Sequence, residues 1–452
     1  MVVLALDLGT SGAKAALVDG RVLTAARHPY PTDTAPDGRS EQDPDDWLAA
    51  ARAAVTEVLA AGPAPERMAL TGQMQDVICL DAAGRPLGPA VLYDDTRAEP
   101  QARALAAELP DWAAVTGNEQ NATSSAAVLR RLRETGDPRA AAATVLFSPA
   151  GYLAHELGCP AAVDSTTAST TGLMDLDARA WSPAVCAAAG VDPATLPAIA
   201  DGPLGTTAAE LLGLPAGLPV DLAPGDAAAT TAGVVGLTPG DDYVYLGTSG
   251  WHARVVKRQT TQPGLVHRLA AGDAELRIAA LTSAGATAAW ARRAFLADAT
   301  PEDADRLLTG RPRGFTGVLA LPSLHGERFP VRDAGLGAAL VGVHEDHGPA
   351  ELYAAVLEGV ALALSHSGLD SDAVLPVTGG GSHSRPWLEI LADVTGRPVR
   401  AVSGTDAALL GAAGCTAAAE GEVIAPDPAA VASYRGVRAR HRHLYDVLGE
   451  LG

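Results

Sequence analysis

The pentapeptide Leu-Gly-Thr-Ser-Gly is written twice in this chain, at Leu8 to Gly12 and again at Leu246 to Gly250. Val2 to Leu6 forms a strand-like run before the first copy and Tyr243 to Tyr245 before the second, and each copy leads into a return strand. Such a chain holds two similar folding units, each opening on a hairpin. A Gly/Thr/Ser turn lets backbone N–H groups approach a ligand closely and adds hydroxyl donors, a combination suited to phosphate oxygens. One copy alone reads as an ordinary hairpin; the duplication favours two turns gripping one polyphosphate. Asp7 ends the first strand and Lys14 follows its turn, so a metal-ligand candidate and a cation share one loop.

With 452 residues the chain exceeds what one hydrophobic core supports, and two domains are expected, 1–235 and 236–452. Its 33 basic and 53 acidic side chains give a formal charge of −20, which disfavours nucleic acid or an anionic membrane as partner. An anionic ligand must then be held by local devices: glycine loops, helix N-termini or a divalent cation. No apolar run approaches the roughly 18 to 20 residues of a membrane span. The apolar start is interrupted by Asp7 and lacks a basic leader, so a cytoplasmic protein is expected. Cys79, Cys159, Cys186 and Cys415 form no Cys-x-x-Cys pair and read as buried thiols, not as a zinc site or disulfide framework.

Gln42-Asp43-Pro44-Asp45-Asp46-Trp47 is a helix start, with Asp43 as N-cap and Pro44 at the first helical position; apolar residues at helical spacing carry it to about Ala61, before Gly62-Pro63. Met68 to Thr71 is a short strand running into the polar loop Gly72 to Asp76, and Val77 to Leu80 the next strand. Residues 101–217 read as mostly helical with irregular links, including Ser125 to Glu134 and the Thr/Ser-rich stretch Asp164 to Thr171. The second unit starts near Gly236 and continues with helices over Ala284 to Leu296 and Pro349 to His366. A strand from Val374 to Thr378 then ends in Gly379-Gly380-Gly381-Ser382, followed by a helix from Arg385 to Thr395. Trp290 and Trp387 fall in helical patterns as core residues.

Pro224-Gly225-Asp226 places an aspartate at a helix N-terminus. An N-cap is its ordinary role, but the small residues Ala227 to Thr230 let the helix end come close to a ligand, where its dipole favours a transferring phosphoryl group. The Gly379 to Ser382 cluster can pass close to a purine or ribose with no Cβ to obstruct it.

In this order the motifs resemble the FGGY family of carbohydrate kinases, members of the actin-like ATPase superfamily, over essentially the whole chain. They include Leu6 to Lys14, Glu41-Gln42-Asp43-Pro44, Gly72-Gln73-Met74, Asp164 through Leu173, Pro224-Gly225-Asp226, Tyr245 to Gly250, His325-Gly326-Glu327-Arg328, Leu357 to Ala361 and Gly379 to Ser382. The resemblance implies an α/β fold of two ribonuclease-H-like domains around a central cleft, sugar held mainly by the first and ATP by the second. It implies Asp226 as general base and Asp7 as a holder of Mg²⁺ on the ATP. Thr10, Ser11 and Lys14 would clamp the phosphates from one side, Thr248, Ser249 and Gly285 from the other, with Gly380, Gly381, Ser382 and Ser384 lining the adenosine pocket. A homodimer is a further family-level expectation.

Sugar identity falls to Gln73, Met74, Gln75, Asp76, Asp95, Arg97 and Asp226. Xylulose-type kinases, nearest in motif wording, usually carry Met-His-Gly where this chain has Met74-Gln75-Asp76. Asp76 suits neutral hydroxyls and repels a sugar acid, and no Lys or Arg lies between Thr71 and Gly84. A neutral ketopentose or polyol is expected as acceptor, D-xylulose first, with gluconate disfavoured. An actin- or chaperone-type ATPase would not need Gln73-Met74 and Asp226, and a silent sensor would not need the Asp7, Lys14 and Asp226 set. Trp251 stands where smaller residues are usual and Glu389 where glutamine is common; for Trp251, packing between the domains is favoured over substrate contact.

Overall fold

A computed structural model of the chain describes residues 1–208, 211–259, 264–402, 404–418 and 421–450. Alternation at the start of the chain sends Leu4, Leu6 and Leu8 to one face of β1 (Val3–Gly9) and Val3, Ala5 and Asp7 to the other. β1 turns into β2 (Gly12–Val18) and then β3 (Val22–His28), an antiparallel meander that sets Asp7 opposite Lys14. α1 (Pro44–Ala61) begins as the sequence indicates: the Asp43 carboxylate accepts from the Asp45 N–H at 3.0 Å, and Pro44 loses nothing at a position whose N–H has no helical partner. Its Trp47, Ala51, Val55 and Val58 bury against Leu4, Leu6, Leu8 and Leu17.

β4 (Arg67–Gly72) lies parallel to β1 on its far side. The long insert that follows carries helices such as Ser125–Glu134 and the short α2 (Ser165–Ala168), together with two- and three-residue strand pairs too brief to leave a periodicity in the sequence. β5 (Gly202–Thr206) and β6 (Pro219–Leu222) complete a six-stranded sheet in the order β5-β6-β4-β1-β2-β3, and α3 (Asp226–Val234) follows.

The second half repeats the plan. β7 (Asp242–Leu246), β8 (Gly250–Lys257), β9 (His267–Ala271) and β10 (Ala274–Leu281) form an antiparallel array. α4 (Gly285–Phe295), α5 (Pro349–Ser365), β11 (Leu375–Thr378), α6 (Arg385–Thr395), β12 (Val399–Ala401), α7 (Ala407–Ala412) and β13 (Val423–Ile424) follow. The sheet order is β9-β10-β8-β7-β11-β12-β13. In both sheets the first strand of the hairpin has its antiparallel partner on one side and a parallel strand on the other, β4 beside β1 and β11 beside β7. These are the two similar folding units expected of the duplicated pentapeptide, and they match the ribonuclease-H-like pair that the family resemblance implies. Trp387 is buried in the second core, where Trp290 packs edge-on to Phe295.

The halves exchange helices. α3 comes from the first half, yet Ala228 and Val234 pack with Tyr243, Ala253, Val255 and Leu276 of the second sheet. α7 comes from the second half, and its Leu409, Leu410 and Ala412 pack on Val3, Ala5, Ala16, Val18 and Ala69 of the first. The two helices touch backbone to backbone: a Cβ on Gly233 would strike the Ala407 carbonyl, and one on Gly411 the Ala229 carbonyl. Asp7, on the Val3 and Ala5 face of β1, therefore looks toward this crossing. Among the described residues no helix is long and apolar enough to cross a membrane.

Candidate active site

The first turn is held from beneath by side chains. Gln42 donates through Nε2 to the Thr10 carbonyl at 2.8 Å and accepts at Oε1 from Trp47 Nε1 at 2.9 Å and Gln73 Nε2 at 3.1 Å. The Tyr30 hydroxyl donates to the Gly9 carbonyl. Above this support, Thr10 Oγ1 lies 3.2 Å from the Tyr93 hydroxyl, and Ser11 Oγ accepts from Arg27 at 2.6 Å. Lys14 Nζ is 3.6 Å from Asp7 Oδ2, while Asp7 Oδ1 is shielded from water with no hydrogen-bond partner among the described residues. Burial pushes the Asp7 carboxyl up, opposed by the charge of Lys14.

The loop after β4 enters the same region. Gly72 abuts the Leu8 carbonyl, to which a Cβ would come within 2.5 Å, and the next N–H, of Gln73, donates to that oxygen at 2.9 Å. Gln73 and Asp76 are buried. Asp76 Oδ1 accepts from the Tyr93 N–H at 3.2 Å, and its Oδ2 and Gln73 Oε1 have no partner among the described residues. Burial holds the Asp76 carboxyl well above the usual carboxylate range. Gln75 sits in the left-handed region, φ 72°, fixed by its own Nε2 on the Thr123 carbonyl at 2.6 Å and by Ser125 Oγ on its carbonyl at 3.0 Å. Met74 packs against Gly225.

Asp226 opens α3. Thr71 Oγ1 donates to the Pro224 carbonyl at 2.6 Å and the Gly225 N–H to Asp164 Oδ1 at 2.8 Å, so the turn before Asp226 is pinned on both sides. The residue is half-buried, and the dense protein around its carboxyl, together with the negative charges of Asp7 and Asp164, pushes it up to about 7. Asp7, Gln73, Met74, Asp76 and Asp226 are thus brought together, with Thr10 and Tyr93 beside them. Asp95 and Arg97 belong to a separate ion-pair cluster. Arg97 lies 2.6 Å from Asp95 and 2.7 Å from Glu41; Asp95 also accepts from the Ser40 N–H at 2.9 Å, and Arg139 joins at Glu41 at 3.0 Å.

The second turn is supported by backbone. The Thr248 carbonyl accepts from the Ala284 and Ala286 N–H groups at 3.0 Å each, and the Gly247 carbonyl from Gly285 at 2.7 Å. Gly285, at the start of α4, packs so tightly on Gly247 that a Cβ has no room, and the Ser249 carbonyl accepts from the Gly247 N–H at 3.0 Å. Beside the turn lies a cavity of about 470 Å³ lined by Tyr245, Thr378, Gly380, Ser382, Val402 and Thr405. Gly379, at φ 90° and with the Leu246 carbonyl 2.6 Å from where a Cβ would stand, brings the chain into this position. Gly381 packs beneath the cavity on Leu246 and Trp387, whereas Ser384 caps α6 and donates to Asp305 at 2.6 Å. Trp251 stacks on Tyr245 with ring centroids 3.9 Å apart and donates to the Tyr243 hydroxyl at 3.2 Å.

Family models for the N-terminal and C-terminal domains of the FGGY family of carbohydrate kinases match residues 2–233 and 243–420. The chain belongs to that family. This FGGY kinase is 31% identical over 450 residues to the xylulose kinase of Streptomyces coelicolor, covering 95% of this chain and 90% of that protein. The structure of a xyloylose kinase from Brucella ovis is 31% identical, covers both chains fully and superposes with a TM-score of 0.88. That of a xylulose kinase from Rhodospirillum rubrum is 26% identical over 100% of this chain and 99% of the other, with a TM-score of 0.90. The protein is therefore an ATP-dependent carbohydrate kinase.

Tyr93, Asp164 and Tyr245 escape the sequence-level choice of site residues in this FGGY kinase. Tyr93 stands two positions before the chosen Asp95, and Tyr245 one before the repeated pentapeptide. Asp164 carries the N-cap signature of a Thr/Ser-rich helix start, within a stretch that matches a family motif but from which that choice takes no single residue.

Proposed function

We propose that this kinase transfers the γ-phosphoryl group of ATP to a hydroxyl of a neutral ketopentose, D-xylulose first, giving xylulose 5-phosphate. The reading rests on Asp226: a half-buried aspartate at the start of a helix, raised to about 7, beside a loop whose buried Gln73 Oε1 and Asp76 Oδ2 await partners. A base poised near neutrality takes a hydroxyl proton efficiently. Sugar hydroxyls would satisfy the unpartnered oxygens, whereas the carboxylate of a sugar acid would enter a loop with no Lys or Arg between Thr71 and Gly84 to pair with it. Gln73, Met74, Gln75 and Asp76 are assigned to the acceptor, with Asp95 and Arg97 bracing the neighbouring loop through Glu41. Relatives named as xylulose kinases support the choice of sugar; another neutral ketose or polyol is the alternative.

In this reading residues 1–235 bind mainly sugar and 236–452 mainly ATP. Thr10, Ser11 and Lys14 face the phosphates from the first half, and Thr248, Ser249 and the Gly285 helix start from the second. Gly380 and Ser382 line the adenosine cavity, Gly381 shapes its floor and Ser384 anchors the following helix. Asp7 fits Mg²⁺: the ion keeps most of its waters on a nucleotide and takes one or two carboxylates, and Asp7 offers an unpartnered, shielded Oδ1. When bound, the ion neutralises charge on the transferring group. Lys14 adds a second cation, and closure of the halves excludes water from a transfer that depends on alignment and charge. We place the kinase in the cytoplasm, and a homodimer is the family-level expectation.

The test is sugar-dependent ADP release from Mg-ATP across ketoses, pentoses, polyols and gluconate. Turnover led by D-xylulose is expected. Gluconate as the best acceptor would refute the role given to Asp76, and turnover led by another polyol would replace D-xylulose.

A further inference from the structure

The segment Asp164 to Ser169 touches both the helix that carries Asp226 and the far half of the molecule, through the side chains of Asp164, Thr166 and Ser169. A single oxygen, Asp164 Oδ1, accepts two backbone N–H groups: Gly225 at 2.8 Å, just ahead of Asp226, and Thr167 at 2.9 Å, in α2. Asp164 is 1% exposed, so no solvent competes for these bonds. The Thr167 hydroxyl and Met74 together crowd Gly225, so that a Cβ there would meet both.

From the same short helix two hydroxyls cross to the second sheet. Thr166 Oγ1 donates to the Ala270 carbonyl at 2.7 Å, and Ser169 Oγ accepts from the Ala270 N–H at 3.1 Å. Two residues earlier on the same edge strand, Asn118 repeats the pattern with one amide, accepting from the Arg268 N–H at 2.8 Å and donating to its carbonyl at 2.7 Å. In β9 successive outward-pointing N–H and C=O pairs recur every second residue along a free edge. At Arg268 and Ala270 both pairs are taken by side chains of the first half, which caps the edge of the second sheet as a neighbouring strand would.

We propose that Asp164 is a positioning residue for the phosphoryl transfer, fixing the N-terminus of α3 and hence Asp226 relative to α2, and that Thr166 and Ser169 extend this hold to β9. The strap makes the seat of the base depend on how the two halves are docked. This inference rests on Asp226 acting as the base. Without the Asp164 oxygen, the Gly225 and Thr167 N–H groups are buried without an acceptor, and the turn that sets Asp226 has lost one of its two pins.

The experiment compares Asp164→Ala, Asp164→Asn and the pair Thr166→Val with Ser169→Ala in the full chain, with Asp226→Ala as reference. Asparagine keeps an oxygen at the acceptor position; alanine does not. Asp164→Ala is expected to lose about 10- to 100-fold in kcat while KM for ATP stays within about threefold, because the nucleotide cavity is untouched. Asp164→Asn should recover most of that loss, and the Thr166/Ser169 pair should lose about three- to tenfold in kcat. Wild-type kcat in Asp164→Ala, or an asparagine variant as impaired as the alanine one, would overturn the inference. If Asp164→Ala does not fold, the Thr166/Ser169 pair decides: a kcat loss at unchanged KM for ATP upholds the strap, and wild-type kcat overturns it. Turnover surviving in Asp226→Ala would remove the base reading and this inference with it, whereas an inactive Asp226→Ala beside a fully active Asp164→Ala removes this inference alone.

Discussion

The two Leu-Gly-Thr-Ser-Gly turns carry the same five residues on the same kind of hairpin, and their surroundings differ in kind. Around the first stand charges: Asp7 paired with Lys14, Ser11 bonded to Arg27, and Asp226 close enough for its titration to feel Asp7. Around the second stand glycines and main chain: Gly285 on the Gly247 carbonyl, Gly379 on the Leu246 carbonyl, Gly381 against Trp387. One framing element is shared. Gly72 abuts the Leu8 carbonyl as Gly379 abuts that of Leu246, each glycine ending the parallel strand beside its hairpin. The frame thus recurs in both copies, with charged groups gathered at the first and an open cavity beside the second.

If that division is right, the first half should govern rate and the second nucleotide affinity. The largest effect is expected from chelation of divalent cations with EDTA, which should abolish turnover and which excess Mg²⁺ should restore; activity persisting in EDTA would remove the role given to Asp7. Next, Asp226→Ala should lower kcat at least ~10²-fold with ATP binding retained, measured by ADP release and calorimetry.

The pH dependence sharpens the same point. With Asp226 raised to about 7, its carboxylate is protonated at lower pH, so kcat/KM should fall as pH drops through about 7. Linkage gives stability the opposite sign: the folded state holds this proton above the ordinary carboxylate value of 3.8, so Asp226 weakens the fold increasingly as pH rises from there toward 7. Asp226→Asn should therefore raise Tm at pH 8 and leave it nearly unchanged at pH 4; an equal Tm at pH 8 would contradict the raised value.

On the second turn, Gly285→Ala forces a methyl onto the Gly247 carbonyl, and KM for ATP should rise roughly tenfold with KM for sugar little changed. The smallest effect belongs to Trp251→Ala, which removes the ring stacked on Tyr245 and should raise KM for ATP by about two- to tenfold, the worth of one aromatic pair. A rise confined to KM for sugar in either variant would break the division between the halves.

What the sequence determined by itself is local. The hairpins are legible because a strand, two small polar residues and a return strand are contiguous. α1 is legible from Asp43-Pro44, and α6 from its apolar spacing, which runs from Arg385 to Thr395 in the structure as in the sequence. Asp226 at a helix start, and the Gly72 to Asp76 loop at a strand end, need no distant partner to be recognised. Only the tertiary structure decided what depends on partners far along the chain. It turned Ser384 toward Asp305, gave Asp95 and Arg97 to Glu41, and stacked Trp251 on Tyr245 within the second half. It exchanged α3 and α7 between the halves, and it set Asp164 under a glycine 61 residues away. Periodicity and capping report how a segment hydrogen-bonds to itself; which carboxylate meets which N–H across the molecule is fixed when the two cores close on each other, and no spacing in the chain records it.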